Sequence, residues 1–368
     1  MGFREHAAPV RRILAIALAV LLLGGVVYVA VLGDDDGSGG TATKTVHGVI
    51  GSEKSEYFRD PDVVKALKDK GYTVKTETSG SWAMDRLALN TYDFAFPGSS
   101  EPAAEIEAAA GVKGAQTAKP FFSPLVVIAR ANAAKVLADN GLVKMTGKNS
   151  GTLLMGPYLK AAGEDRTWQQ LPGSASYAEL TGTVFIKTTD PATSNSGALF
   201  LAATSNVANG NKVVADDAAI ERTAPLMHKL ISVQGALEPS TDDPFRAFIS
   251  GSGEPLILAY ESQVAALVQQ KQAPGDMVVL YPDTTVNSPH TFVPISENAK
   301  ELGTLLATDP KLRRLAVKHG FRPQDGVPEF TAATASHGAY LNPELTGIRQ
   351  VSAPTVKILM ALAERAKG

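Results

Sequence analysis

The chain has 368 residues, of which 44% are hydrophobic and 20% are charged. This length and composition suit one large or two ordinary globular domains and exclude a disordered chain. Its 35 basic and 37 acidic residues give a formal net charge of −2, which argues against general binding to nucleic acid phosphates. Cysteine is absent, so disulfides, thiol nucleophiles, cysteine-ligated metals and a lipid-modified cysteine anchor are excluded.

Residues 13–32 form an unbroken apolar run without a charged side chain. As a helix, this run matches the ~30 Å hydrocarbon core of a bilayer. Arg4, Arg11 and Arg12 precede it and three aspartates follow it, so the positive-inside rule places the N-terminus in the cytoplasm. We therefore predict a cytoplasmic N-terminus (1–12), a single-pass transmembrane signal anchor (13–32), a flexible linker (33–44) and an extracellular remainder. A cleaved signal peptide is the alternative, but its apolar core usually runs only about 7–15 residues.

Beyond the linker, short apolar runs alternate with helical patterns. The runs at 125–129 (LVVIA) and 183–189 (TVFIKTT) predict strands, and the first is apolar on both faces, as buried parallel strands are. The pattern at 353–366 predicts a closing helix. Strands separated by helices indicate βαβ units and a parallel sheet. We predict two α/β lobes, the first from residues 45–129 plus 291–368 and the second from residues 130–290.

Small hydroxyl residues and glycines recur where predicted strands end and helices begin. In open α/β sheets, ligands bind outside the carboxyl ends of the strands. There, the N–H groups of helix N-termini and short hydroxyls can hold an anion without a countercharge. Such residues are also ordinary caps and turns, but four such loops across both lobes favour a shared cleft. The loops contain Ser52, Ser81, Ser99, Ser100, Asp190, Ser194 and Ser196.

The loop from Asp190 to Gly197 resembles the D-P-x-x-(S/V)-x-(S/A)-G loop of type II bacterial extracellular (periplasmic) solute-binding proteins. It is most similar to the branch with molybdate-, phosphate- and iron-binding members. Gly51-Ser52, Tyr260-Glu261-Ser262 and the strand at 291–294 also resemble that family, and the likeness runs from about residue 45 to residue 322.

The resemblance implies a two-lobed type II periplasmic-binding-protein-like α/β fold with hinge strands, preceded here by the transmembrane helix. It implies that the lobes close on a small polar solute, for an ABC-type importer with its permease or for a surface sensor with a receptor complex. The positions facing the solute would be Ser52, Ser81, Ser99, Ser194, Ser196 and Tyr260.

Several carboxylates beside these loops depart from the molybdate-type pattern. They would repel a fully ionised oxyanion, unless one accepts a proton from the anion or pairs with a cation. They could equally coordinate a metal, bind an amine, or cap helices with the side chain in solvent. The charge of the solute therefore stays open, and Ser100, Asp190 and Glu261 join the predicted ligand set. The carboxylates are Glu53, Glu101, Asp190 and Glu261.

Catalysis and pure protein–protein interaction are the alternatives to solute binding. A serine-dependent hydrolase has no G-x-S-x-G or H-E-x-x-H motif to support it, although Ser81 and His290 could still meet in space. A ligand-free surface interaction module would need no polar cleft. The histidines lack metal-binding spacing, so we predict no metal site. Because the catalytic motifs are also missing, we predict a protein that is not an enzyme and has no cofactor.

Overall fold

The computed structural model describes residues 43–368, whose strands are rich in β-branched and aromatic side chains, as strand-forming segments usually are. They form two larger mixed sheets and one two-stranded sheet. The strands are β1 (Lys44–Ile50), β2 (Tyr72–Thr78), β3 (Phe94–Phe96), β4 (Ala118–Phe122), β5 (Leu125–Arg130), β6 (Val143–Met145), β7 (Ser150–Leu153), β8 (Leu256–Tyr260), β9 (Met277–Pro282), β10 (Thr284–Val286), β11 (Pro289–Pro294), β12 (Arg322–Pro323) and β13 (Arg349–Val351).

Helices cover the faces of these sheets, and two of them begin with the same local chemistry. Asp60 and Asp309 each accept hydrogen bonds from the first-turn amides of a helix that has proline at its first position. The helices are α1 (Ser55–Arg59), α2 (Pro61–Asp69), α3 (Ser100–Ala109), α4 (Ala131–Asp139), α5 (Met155–Gly163), α6 (Asn195–Ala208), α7 (Asp217–Ser232), α8 (Asp242–Ile249), α9 (Glu261–Gln269), α10 (Lys300–Thr308), α11 (Pro310–Lys318), α12 (Val327–Thr334) and α13 (Val356–Lys367).

The first lobe is built on a six-stranded sheet in the order β12-β4-β11-β3-β1-β2. β1 runs parallel to β2 and β3, whereas β11 is antiparallel to β3 and β4. The carboxyl ends of the parallel strands β1, β2 and β3 therefore meet at one edge. The loops that begin at Gly51, Ser79 and Pro97 lie there.

The second lobe is built on a five-stranded sheet in the order β6-β7-β9-β5-β8. β5 lies inside it, antiparallel to both neighbours, and its residues from Leu125 to Ala129 are buried. Leu125, Val127 and Ala129 pack into one core cluster and Val126 and Ile128 into another, so both faces of the sheet are covered. The strand predicted at 125–129 is present, but the sheet is mixed rather than parallel.

The boundaries between the lobes differ from those expected from the sequence. The chain leaves the first sheet at residues 123–124, because β5 pairs with β8 and β9 and not with β4. The segment predicted as a strand at 183–189 makes only isolated bridges, including one from Lys187 to Ile257 of β8. The closing helix α13 packs against α7 of the second lobe, although the sequence assigned it to the first.

The chain crosses between the lobes three times. The first crossing follows β4 and the second joins β10 to β11. The third runs from β12, in the first sheet, to β13, which pairs with β10. Beside this third crossing, the fully buried guanidinium of Arg322 donates to the buried carboxylate of Glu261, with Nε 2.5 Å from Oε2.

Within residues 43–368, no helix combines the length and the apolar character that crossing a bilayer requires. The predicted anchor at 13–32 and most of the predicted linker lie outside the described residues.

Candidate functional site

The loop after β1 carries a buried cluster of charged and polar side chains. Lys54 is completely buried and donates to the Glu53 carboxylate and, at 3.2 Å, to Nδ1 of His290. Burial lowers the pKa of Lys54, and the charge of Glu53 opposes this shift. Burial also lowers the pKa of His290 well below its usual value, and the nearby Lys54 charge adds to that shift. His290 is therefore neutral, and Lys54 and Glu53 compensate one another behind the cleft wall.

The edge of the first sheet faces the N-terminus of α6 across a small cavity of about 20 Å³, which is room for about one water molecule. We call it the serine cavity. The first lobe contributes the loops after β1 and β2, and the second contributes the start of α6 and the end of β8. Its lining includes Ser52, Ser79, Gly80, Ser81, Ser194, Asn195, Thr241 and Tyr260.

The two sides of the serine cavity are joined by direct hydrogen bonds. The Trp82 amide donates to the Thr193 carbonyl at 3.0 Å, and the Ser99 hydroxyl donates to Asn195 Oδ1 at 2.7 Å. At Gly80, an added Cβ would lie 2.4 Å from the Thr193 oxygen, so a residue without a side chain permits this approach. The structure is thus a closed form of the cleft.

Asn195 is the hub of this closure. Its amide nitrogen donates to the Tyr260 hydroxyl at 2.9 Å and to the Ser288 hydroxyl at 3.3 Å. Burial, reinforced by the Glu53 charge, raises the pKa of Tyr260 above its usual value. The phenol therefore stays neutral and can accept this bond. The Asn195 side chain thus links Ser99 of the first lobe to Tyr260 of the second.

Four of the predicted site residues line the serine cavity: Ser52, Ser81, Ser194 and Tyr260. Ser81 accepts from the Gly98 amide at 3.0 Å, whereas His290 contacts Lys54, so these two residues use different partners. Ser99 does not line the cavity but bonds to Asn195, which does.

The other predicted residues have partners of their own. Ser196 lies 2.8 Å from the Thr189 hydroxyl and 3.2 Å from the Ser194 hydroxyl. Ser100 lies 3.2 Å from the Thr291 hydroxyl. These distances show where the side chains are, and their contact with a solute stays a prediction.

Two predicted carboxylates serve the protein itself. Asp190 accepts from the Ala192 amide at 2.9 Å and pairs with Lys367 at 2.8 Å, so it orders the turn before α6. Glu261 is fully buried and receives hydrogen bonds from Arg322 and from the Tyr281 hydroxyl, rather than facing solvent as a simple cap would. Neither lines the serine cavity.

Sequence reasoning missed Asn195 and Thr241 as lining residues. Asn195 lies within the loop that resembles the family motif, but it was assigned no role from the sequence. Its position at the start of a predicted helix could have indicated one. Thr241 precedes α8, and nothing local indicates that this helix folds back on the cleft. Among residues 43–368, no three histidine, aspartate or glutamate side chains lie close enough together to hold a metal ion.

The two lobes, the crossing strands and the cleft between them define a fold of known type. No family model matches the chain, and no curated protein matches it in sequence. Solved structures do match. The sulfate-binding protein SubI from Mycobacterium tuberculosis has a TM-score of 0.53 and 16% identity, covering 86% of this chain and 95% of that one.

Two further structures match over a similar extent. AfuA from Actinobacillus pleuropneumoniae, a periplasmic binding protein with fructose-6-phosphate bound, has a TM-score of 0.56 and 13% identity, with 88% and 97% coverage. Iron-bound HitA from Pseudomonas aeruginosa has a TM-score of 0.52 and 11% identity, with 87% and 96% coverage. The described residues therefore have the fold of the periplasmic solute-binding proteins, which confirms the resemblance in the sequence at the level of the fold.

Proposed function

We propose that the chain is an extracellular solute-binding protein that captures a small polar solute between its two lobes. The observation that carries this proposal is the serine cavity, because each lobe supplies part of its hydroxyl and amide lining. The fold supports it, since the similar solved structures include proteins named as binding sulfate or as bound to fructose-6-phosphate or iron.

The proposed mechanism is an exchange of hydrogen bonds. In the closed structure, Asn195 holds Ser99 and Tyr260 from within the cleft. Opening breaks the bond between Ser99 and Asn195 and hydrates both groups, and a solute that bridges the lobes replaces this water. Such a solute favours closure only by the difference in its affinity for the closed and open forms.

The chemistry of the cavity suits a solute with several hydrogen-bonding oxygens. Hydroxyls and amides can hold an oxyanion or a sugar phosphate without a countercharge. Glu53 faces the cavity but pairs with Lys54, so this pair brings no net charge. An oxyanion remains one member of the proposed class.

We further propose that residues 13–32 anchor the domain at the outer face of the cell membrane. A tether of this kind keeps the domain at high effective concentration beside a membrane partner. The partner would be an ABC-type permease if the protein serves import, or a receptor complex if it serves as a sensor.

The test measures closure directly in the full-length chain. Because the chain has no cysteine, Asn90→Cys and Lys212→Cys place two fluorophores at exposed positions, one in each lobe. Sulfate, phosphate, molybdate, fructose-6-phosphate, thiamine and ferric ion are added in turn. We expect at least one to change energy transfer and to raise the melting temperature. At a hundred times its dissociation constant it would add about 2.7 kcal/mol of stability.

Ser52→Ala with Ser194→Ala should weaken the response to that solute by about tenfold or more. Ser232→Ala, at an exposed position on α7, is the matched control and should leave the response unchanged. A panel extended to amino acids and sugars that produces no response would overturn the proposal, as would an equal response in both variants.

A further inference from the structure

A second, larger cavity lies in the same interlobe cleft, and we call it the acidic groove. It has a volume of about 480 Å³, in the range typical of pockets for small molecules. The first lobe contributes residues 52–57 and the residues just before β12, and the second contributes α8 and α9. Its apolar lining includes Phe245, Ile249, Ala266, Leu267 and Phe321.

The charged groups of the groove are mainly acidic. Glu53 and Glu56 reach it from the first lobe and Asp242 from the second, whereas Arg246 is the cation at its rim. The Arg246 guanidinium lies 3.6 Å from Glu56 and 3.8 Å from Asp242, and its side chain is 67% exposed. Pairs this long and this exposed contribute little to stability, although Arg246 offsets one of the negative charges. Because Lys54 balances Glu53, the groove keeps one negative charge in excess.

Asp242 is the carboxylate of the groove whose surroundings most disfavour its negative charge. Burial raises its pKa to about 6; Arg246 opposes the shift, and Glu53, Asp243 and Glu56 add to it. Its Oδ1 accepts one hydrogen bond, from Gln263 at 2.9 Å. At neutral pH it is therefore an ionised group whose charged form is disfavoured, which a nearby positive charge would relieve.

A second polar group of the groove is unsatisfied. Ser262 is 1% exposed, and its hydroxyl has no hydrogen-bond partner among the described residues. Buried hydroxyls of folded proteins are normally hydrogen-bonded, so Ser262 adds an unsatisfied polar group to the wall of the groove.

We propose that the acidic groove binds an organic cation, with its ammonium group beside Asp242 and its apolar body against Phe245 and Leu267. The inference rests on the proposed function, because the groove and the serine cavity share Ser52 and Glu53 and belong to one cleft. Glu56 and Asp242 outnumber Arg246, so the groove carries one negative charge in excess, which disfavours an anion, and a purely polar solute would leave the apolar wall uncovered. The ligand class that we infer for the acidic groove therefore has an amine at one end and a compact apolar ring or chain.

The test compares three probes that share an indole ring and differ in charge: tryptamine is a cation, tryptophol is neutral and indole-3-acetate is an anion. Binding to the full-length chain is measured by calorimetry at about 0.15 M salt, so that long-range charge effects are screened. We expect tryptamine to bind about tenfold more tightly than either analogue.

Asp242→Asn should reduce this preference to about twofold or less without lowering the melting temperature of the unliganded protein. Asp243→Asn is the matched control, because it removes the same charge from an exposed neighbour in the same helix. It should keep the preference within about twofold of the unaltered chain.

Three results would overturn the inference: tryptamine that fails to bind, tryptamine that binds no more tightly than tryptophol, or equal losses in the two variants. The closure assay separates this failure from failure of the proposed function. A solute that closes the lobes and depends on Ser52 and Ser194 would uphold solute capture while the cation inference falls.

Discussion

The serine cavity and the acidic groove lie side by side in one cleft, yet their polar groups are in opposite conditions. In the serine cavity, Asn195 bonds to Ser99 across the two lobes and to Tyr260 within the second lobe. In the acidic groove, Asp242 stays an unfavourable carboxylate and the Ser262 hydroxyl has no partner among the described residues. Neutral hydrogen-bonding groups can pair with each other when lobes close, whereas like charges cannot. A bound ligand would therefore relieve more unfavourable free energy in the acidic groove than in the serine cavity.

The largest effect concerns Glu261, which the sequence placed among the ligands of the cleft. If the Glu261–Arg322 pair holds the fold instead, Arg322→Met leaves a buried carboxylate uncompensated and should cost about 3–5 kcal/mol of unfolding free energy. Urea unfolding of the full-length chain measures it. Arg314→Met, on the exposed side of α11, is the control and should stay within about 0.5 kcal/mol. A loss below about 1 kcal/mol for Arg322→Met would return Glu261 to the candidate ligands.

The next effect concerns the hydrogen bonds among the polar side chains of the serine cavity. Asn195→Ala leaves the Ser99 and Tyr260 hydroxyls without their partner and should destabilise the closed protein by about 1–3 kcal/mol. Thermal unfolding measures it, with the exposed Asn90→Ala as the control. A neutral result would mean that water replaces the amide without cost, and that Asn195 is not the hub of closure.

A smaller effect separates closure from folding. Gly80→Ala puts a methyl group 2.4 Å from the Thr193 oxygen, so we expect the lobes to stay further apart and solute affinity to fall by about tenfold. Energy transfer between the two lobes measures the opening. Gly156→Ala is the control, since nothing lies within 4 Å of its added carbon. Unchanged transfer in Gly80→Ala would contradict the contact between residues 80 and 193.

The smallest effect is a pH dependence within the acidic groove. The pKa of Asp242 rises to about 6 in the folded protein from 3.8 in the unfolded one, so the folded state holds this proton more tightly. Stability therefore falls as pH rises from about 4 to 6 and stays lower above that window. Asp242→Asn should gain about 1 kcal/mol at pH 8 and almost nothing at pH 4. Urea unfolding at both pH values checks it, and a loss of stability at pH 8 would refute the assignment.

Local patterns predicted elements better than their partners. The apolar run at 125–129 correctly indicated a strand buried on both faces, and the pattern at 353–366 corresponds to α13 at Val356–Lys367. Both were assigned to the first lobe and lie in the second. Their positions depend on pairing with β8 and β9 and on packing against α7, which involve residues distant in the sequence.

The candidate site was predictable to the same degree. Serines at strand ends pointed to Ser52 and Ser81, because the carboxyl ends of parallel strands share one edge. Ser194 was indicated by its position directly before a predicted helix. Asp242 gave no signal, since its unusual environment arises only when α8 folds against residues of the first lobe. The sequence could not distinguish Glu261 from a solvent-facing cap, because its ion-pair partner Arg322 lies sixty-one positions away along the chain.

The third crossing and the Arg322–Glu261 pair fasten one end of the cleft, and this has a mechanical consequence. A rigid body that turns about a fastened end moves least near that end. Phe321 and Ser262, direct chain neighbours of this ion pair, line the acidic groove, whereas the contact between Trp82 and Thr193 belongs to the serine cavity. The second crossing reaches the serine cavity in the same way, because Ser288 donates to the Gly98 carbonyl and accepts from Asn195. We therefore expect the parts of both cavities next to a crossing to keep nearly constant width while the lobes turn. A guest held there would keep its contacts during the first part of the opening, so that its departure takes two stages.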